Sequence, residues 1–302
     1  MSLSAHLPDD GLPKLFKIGL KPLGDDNWFD VDACLPAYLD EKERLAKTRF
    51  ADIFMAAPRT EAAQREILNL LADHLVQRFP TIYHRDGPMI HILPAGRKIA
   101  LDSSRTPPLW TAARLVQDDL VLMRKDGDGW RLVAAALCFP SSWNLHDKVS
   151  RPINTIHQSV PAFGPATRNA MLIDRMLDHL RPETPMLRWN WSFYSDDALF
   201  HPPGETNNTP RFGTGERAEN VFLRVERQTL RRLPASGDIL FTIRVYIHPL
   251  AELERQPNAA QIAAGLMAQI NVLNTEQLTY KGFVLDRDRL LKRLGDIAEA
   301  GA

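Results

Sequence analysis

Cysteine is nearly absent: Cys34 and Cys138 are the only two in 302 residues. Two thiols cannot make a disulfide framework, a four-cysteine zinc site or a thiolate-held iron–sulfur cluster. Net charge is absent too, with 37 Lys and Arg against 37 Asp and Glu. Chains that wrap nucleic acid or lie on anionic membranes carry a basic excess, so neither partner is expected. No run approaches the ~20 apolar residues of a membrane span. The opening MSLSAHLPDDGLPKLF lacks the basic stretch and apolar run of a secretory signal. These absences predict a soluble, cytoplasmic protein.

Several catalytic signatures are also missing, among them GxxxxGK[ST], HExxH and GxSxG. The segment Gly213-Thr214-Gly215-Glu216-Arg217-Ala218 loosely resembles a dinucleotide loop, but it precedes a predicted strand rather than a helix. No nicotinamide or flavin held in a Rossmann unit is therefore expected. A mononuclear metal hydrolase is disfavoured because no His, Asp and Glu triplet stands close together.

What is present reads as an ordinary globular chain, 44% hydrophobic and 25% charged, with 22 prolines punctuating it. Residues 1–36 form an irregular arm with isolated apolar anchors. Helical spacing predicts a pair of helices within residues 37–80: the first over 38–55, the second opening at Thr60 as N-cap and ending at Pro80. The period then changes to two. Predicted strands at 89–93 and 98–101, and at 119–124 and 130–138, flank turn-rich tetra- and pentapeptides. A helix over 167–180 with Met171, Leu172, Met176 and Leu177 on one face is inserted before strands at 187–194, 221–233 and 239–247. Residues 201–219 read as a long surface loop, and two helices, 259–273 and 287–298, close the chain. Successive hairpins without strand–helix alternation predict an α+β fold: an antiparallel sheet with helices packed on it. The division expected is one domain over 1–302, with the sheet core at 81–250 and C-terminal helices at 251–302.

Three stretches could carry chemistry. Residues 139–161 are proline-rich and follow neither period, yet hold Trp143, His146 and His157. His157, beside Ile156 and Val160, can ligate a metal or a haem iron, or can equally be a hydrogen-bonded core histidine. In LRVERQTLRRLP, Arg224, Glu226 and Gln228 share one strand face and Arg227 the other, with Arg244 and Tyr246 of the next strand expected opposite the Glu226 face. Such a face can bind carboxylates through guanidinium forks, or can be a solvated lattice of ion pairs. In RWNWSFY, Trp189, Trp191 and Phe193 alternate with Arg188, Asn190, Ser192 and Tyr194, a polar stripe that either joins the Glu226 face or meets water.

The order FPSSWNLHDKVSRPINTIHQSVP, RWNWSFY and LRVERQTLRRLPASGDILFTIRVYIHPL, preceded by KIGLKPL, RFPTIY and QDDLVLM, resembles the haem-dependent oxidative N-demethylase-like family over residues 15–255. The resemblance implies a haem b protein on a PAS-like antiparallel sheet. It implies a monooxygenase of amine metabolism that removes a methyl group from a small secondary amine such as dimethylamine. Such an enzyme uses O2 and electrons from a separate reductase carrying FMN and an iron–sulfur cluster. Carried over residue by residue, His157 becomes the axial iron ligand with His146 in reserve, and Arg224 and Arg227, on opposite strand faces, the propionate candidates with Arg244 as a third; on the mechanism so implied, Glu226 either holds the substrate ammonium or only orients the arginines. The family pattern has Gly where this chain has Ser150. A PAS-like haem sensor of gas or redox state is the main competing reading, since the architecture does not itself imply catalysis; an apo protein whose polar sheet face binds an organic acid is another.

Overall fold

The structure, a computed structural model, describes residues 14–24, 27–127, 129–204 and 209–300. The expectations for residues 1–13, His6 among them, lie outside the described residues. The elements in chain order are β1 (Lys21–Pro22), α1 (Leu35–Ile53), β2 (Phe54–Ala56), α2 (Glu61–Arg78), β3 (Tyr83–Asp86), β4 (Met89–Ile92), β5 (Arg97–Ala100), α3 (Pro108–Ala113), β6 (Asp119–Asp126) and β7 (Gly129–Ala136). There follow α4 (Ile153–Ile156), α5 (Arg168–His179), β8 (Met186–Tyr194), β9 (Phe222–Arg232), β10 (Ile239–Pro249), α6 (Leu250–Leu253), α7 (Ala259–Asn271), α8 (Thr275–Lys281) and α9 (Arg287–Ala300).

The α+β expectation holds. Seven strands form an antiparallel sheet in the order β1-β8-β9-β10-β6-β7-β2, and β3-β4-β5 make a separate three-stranded meander. The long hairpin of β9 and β10 is in register from Phe222 opposite Pro249 to Arg232 opposite Ile239. Gly237 turns it with φ +72°, and Arg124 grips the buried Asp238 through Nε and Nη2 at 3.0 and 2.6 Å. One face of the sheet carries Trp189, Trp191, Leu223, Val225, Arg227, Arg244 and Tyr246. The strand pairings place these side by side, and residues of α1, α2, α7 and α9 belong to the two apolar clusters of the core. The opposite face is covered by the proline-rich loop and α5.

Several boundaries differ from expectation for physical reasons. α1 ends at Ile53, and Phe54 and Met55 become an edge strand because Ala136 and Ala135 of β7 leave room beside them. Thr60 does not cap α2: its Oγ1 donates to Ala57 O at 2.7 Å and accepts from Gln64 Nε2 at 2.9 Å. α5 buries Ala170, Ile173 and Leu177, leaving Met171 and Leu172 exposed. The supposed surface loop is partly core. Phe212 and Ala218 are fully buried, and Arg289 holds the carbonyls of Phe212, Gly215 and Arg217. A Cβ at Gly213 or Gly215 would lie 2.6 or 2.5 Å from a Glu219 carboxylate oxygen, so these glycines wrap the chain's own anion. Among the described residues no helix is long and apolar enough to cross a membrane.

Two buried charges join α1 to the strands. Lys42 stands where helical spacing puts an apolar residue, and its Nζ donates to the carbonyls of Ala113, Val116 and Asp118 at 3.1, 2.9 and 2.5 Å. The Asp118 carboxylate is buried with neither oxygen hydrogen-bonded. Burial pushes its carboxyl up to about 6 against the pull of Arg244, Arg227 and Lys42. The proline-rich loop departs from the ordinary backbone menu: Ser142, Ser150, Ala162 and Ala166 all have positive φ. Ser150 sits at +61°, its N–H donating to Leu132 O.

Two predictions follow from this packing. Ser150→Gly relieves a left-handed serine but loosens the unfolded chain, for a net gain of about 0.5–1 kcal/mol. A denaturant melt showing lower stability would contradict it. For Asp118, the folded-state value lies above the ordinary one, so ionisation opposes folding. That cost is complete above pH 6 and relieved as pH falls toward 4. Asp118→Asn is therefore expected to exceed wild type in stability at pH 8 by about 1–3 kcal/mol. The gap should narrow by pH 5, as read by melts at both pH values.

Candidate functional site

The register of β8 on β9 sets Arg188 opposite Gln228, Asn190 opposite Glu226 and Ser192 opposite Arg224. The polar stripe of β8 and the Arg224/Glu226/Gln228 row therefore share one face of the sheet. On β10 this face continues as Ile243, Val245 and Ile247, since these oppose Gln228, Glu226 and Arg224. Arg244 and Tyr246 oppose Arg227 and Val225 instead. This corrects the expectation that they stand opposite Glu226: a residue and its cross-strand partner share a side, and the odd-numbered partners put Arg244 on the helix-covered face.

Glu226 is the centre of a buried network. One carboxylate oxygen accepts from Ser141 Oγ, and the other from Gln228 Nε2 at 2.7 Å and Asn190 Nδ2 at 3.2 Å. Burial alone would raise its carboxyl. The Arg224 charge, the Ser141 and Asn190 hydrogen bonds and the Lys281 charge outweigh burial and hold it below the usual range, so it is an anion. Arg224 Nε donates to Ser141 Oγ at 2.9 Å, and its Nη atoms serve the carbonyls of Phe139, Pro140, Ala198 and Leu199.

The other two expected arginines are also engaged. Arg227 donates to the carbonyls of Asn27 and Trp28, pinning the N-terminal arm. Arg244 pairs with Asp32 at 2.7 Å, donates to Val245 O, and lies between the rings of Tyr38 and Tyr246 at 4.3 and 4.6 Å. The guanidinium groups thus bind protein acceptors, two of them on the face away from Glu226.

The proline-rich loop is rooted at Asp119, whose carboxylate accepts from the N–H groups of Cys138 and Phe139 at 2.7 and 2.8 Å. Further along, Pro152 opens the single turn α4, and His157 closes it. The His157 ring is half-buried, edge-on to Phe163, and no hydrogen bond reaches either ring nitrogen among the described residues. Burial first, then the charges of Lys148 and Arg188, push its imidazole down to about 4. It is a neutral base at physiological pH. His146 stands elsewhere, exposed, 3.6 Å from Asp52 and lining an open cavity of about 390 Å³ with Arg49, Trp143 and Phe200.

The residues present fit a haem. Among the described residues His157 offers an unengaged nitrogen, beside the ring of Phe163 and the partly buried Ile156 and Val160. Among the described residues no cluster of three or more His, Cys, Asp or Glu could hold a metal ion. A porphyrin supplies four iron ligands itself, so one histidine suffices. The Nε of Arg188, on the same sheet face, is buried without a partner.

The C-terminal segment, which carried no recognisable motif, adds two residues to the site. Lys281 is buried, its Nζ donating to Trp191 O at 2.7 Å, and its charge helps keep Glu226 ionised. Burial and Arg188 push the Lys281 ammonium down to about 8. Beside it, the Tyr280 phenol is pushed up to about 12 by burial and by Glu226. The local clue was in NTEQLTYKG: Asn274 and Gln277 form a reciprocal capping box and Gly282, at φ +68°, ends the turn. That signal marks a helix, but nothing in it says which sheet edge the helix meets.

The model of the family described as haem-dependent oxidative N-demethylase, alpha subunit-like, matches residues 19–291. The match takes in His157, the β8 and β9 rows and α8 alike. This chain of 302 residues belongs to the haem-dependent oxidative N-demethylase alpha subunit-like family.

Proposed function

We propose that this chain binds haem b through His157 and is the oxygenase component that demethylates a small secondary amine of the dimethylamine type. Molecular oxygen is the oxidant, and electrons come from a separate reductase bearing FMN and an iron–sulfur cluster. The observation that carries the reading is the neutral imidazole of His157, without a hydrogen bond among the described residues and edge-on to Phe163. Bound haem supplies the redox centre for oxygen activation.

The protein's own part is to ligate, orient and exclude water. His157 presents a lone pair, because the nearby Lys148 and Arg188 charges oppose its protonation. Glu226, kept anionic in a buried setting, has two oxygens and three protein donors. Its remaining acceptor capacity suits an N–H of the substrate ammonium. Asn190, Gln228 and Ser141 fix the carboxylate so that the amine meets a preorganised anion. The apolar residues of β10 keep that end of the face dry.

The five long strands support the PAS-like reading. Counted in chain order from β6, β7, β8, β9 to β10, they lie in the sheet as second, first, fifth, fourth and third. Two unpaired cysteines agree with a reducing, cytoplasmic setting.

Two experiments test the reading. Protein from haem-supplemented cells should show a Soret band that shifts under dithionite and carbon monoxide. His157→Ala should lose or alter that band while His146→Ala keeps it. A featureless wild-type spectrum at full yield would sink the proposal, and loss on His146→Ala alone would move the ligand. In the haem-loaded enzyme, Glu226→Gln keeps the shape of the side chain but removes the anion. The KM for dimethylamine, followed by formaldehyde release with a surrogate flavin and iron–sulfur reductase, is expected to rise at least about tenfold. An unchanged KM would leave Glu226 with only its structural partners.

A further inference from the structure

We propose that Arg188 is the carboxylate clamp for one propionate of the haem, in place of the three arginines that the family resemblance suggests. The inference rests on the haem reading of His157. Haem b carries two propionate carboxylates, and a guanidinium fork is the side chain that meets a carboxylate through two parallel N–H donors. The question is which arginine has donors to give.

Arg224 distributes its three nitrogens over Ser141 Oγ and four backbone carbonyls. Arg227 holds the arm through Asn27 and Trp28. Arg244 also has a buried Nε without a partner among the described residues, but its Nη atoms are held by Asp32 and Val245 O and it lies on the helix-covered face, away from Glu226. Freeing any of these would strand buried carbonyls or a buried carboxylate, at the cost of unmet polar groups. Arg188 is different. Among the described residues its one hydrogen bond runs from Nη2 to Lys17 O at 3.3 Å, and Nε is buried with no partner. Buried donors are nearly always satisfied, so an orphan one marks a missing acceptor.

Its position agrees. Arg188 is half-buried near the edge where β1 pairs with β8, on the face that carries Glu226. Gln228, directly opposite, gives its Nε2 to Glu226 and so ties the Arg188 position to the Glu226 network. A propionate brought to this half-buried edge would meet the guanidinium donors that the protein leaves unused.

The test uses the full chain loaded with haem b. Haem loss is followed by transfer to excess apomyoglobin for wild type, Arg188→Gln and Arg188→Lys, and repeated with haem whose propionates are methyl esters. The expected result is loss about tenfold faster or more in Arg188→Gln, with Arg188→Lys between. The Soret position should stay unchanged, because His157 still ligates. With the ester, wild type should lose haem faster and the difference between wild type and Arg188→Gln should collapse. The wild-type ester comparison needs no variant, so a poorly folding variant does not blunt it. Equal loss of haem and its ester from wild type, or a difference between wild type and Arg188→Gln that persists with the ester, overturns the assignment of Arg188 and leaves His157 standing. Failure of wild type to take up haem removes the underlying reading and this assignment with it.

Discussion

The structure hangs on the buried guanidinium of Arg224. It is nearly without solvent contact and has five acceptors, drawn from β9's own side of the sheet, the root of the proline-rich loop and residues 198–199. Its charge is balanced through Ser141, which donates in turn to Glu226. A buried cation of this kind is tolerable only when its donors and its charge are both met. One side chain thereby fixes where the loop leaves the sheet, where the segment after β8 returns, and how the Glu226 carboxylate is oriented. Asp119 complements it from the next strand but one by taking the N–H groups of Cys138 and Phe139. Carbonyls of the loop root point to a cation and its amides to an anion, so the root is held from both sides.

The same residue types do opposite work on the two faces of the sheet. On the helix-covered face, Arg227 and Arg244 tie the N-terminal arm down, and Lys42 substitutes for an apolar residue by filling its three donors with carbonyls. On the other face, among the described residues, Arg188 has a buried Nε without a partner, while Glu226 is met by three protein donors. Counting donors against acceptors separates struts from binding groups where charge and residue type do not.

This difference also decides what was legible in the sequence. The hairpins were, because Gly127, Gly129 and Gly237 stand between runs of period two, and each strand pair formed close to its expected place. His157 stood out as an imidazole in an apolar, proline-rich stretch. The Arg224/Glu226/Gln228 row was legible as a face, since a strand alternates strictly. The side to which Arg244 points was not, because register across a five-residue turn shifts faces by a single residue. Met171 and Leu172 misled for a related reason: they are apolar, but the inward stripe of α5 runs through Ala170, Ile173 and Leu177. Lys281 was beyond reach altogether. It meets Trp191 across 90 positions, and only the tertiary packing of α8 on β8 creates that contact.

Four non-glycine residues of the segment that covers the Glu226 face, Ser142, Ser150, Ala162 and Ala166, adopt the left-handed backbone region. Each conformation is costly for a side chain bearing a Cβ, by about 1–2 kcal/mol. Local preference therefore works against this shape, and only the finished sheet, through Asp119, Arg224 and Leu132, can impose it. The cover therefore borrows its shape from the sheet, and a change that weakens those anchors is expected to loosen the loop before it loosens the strands.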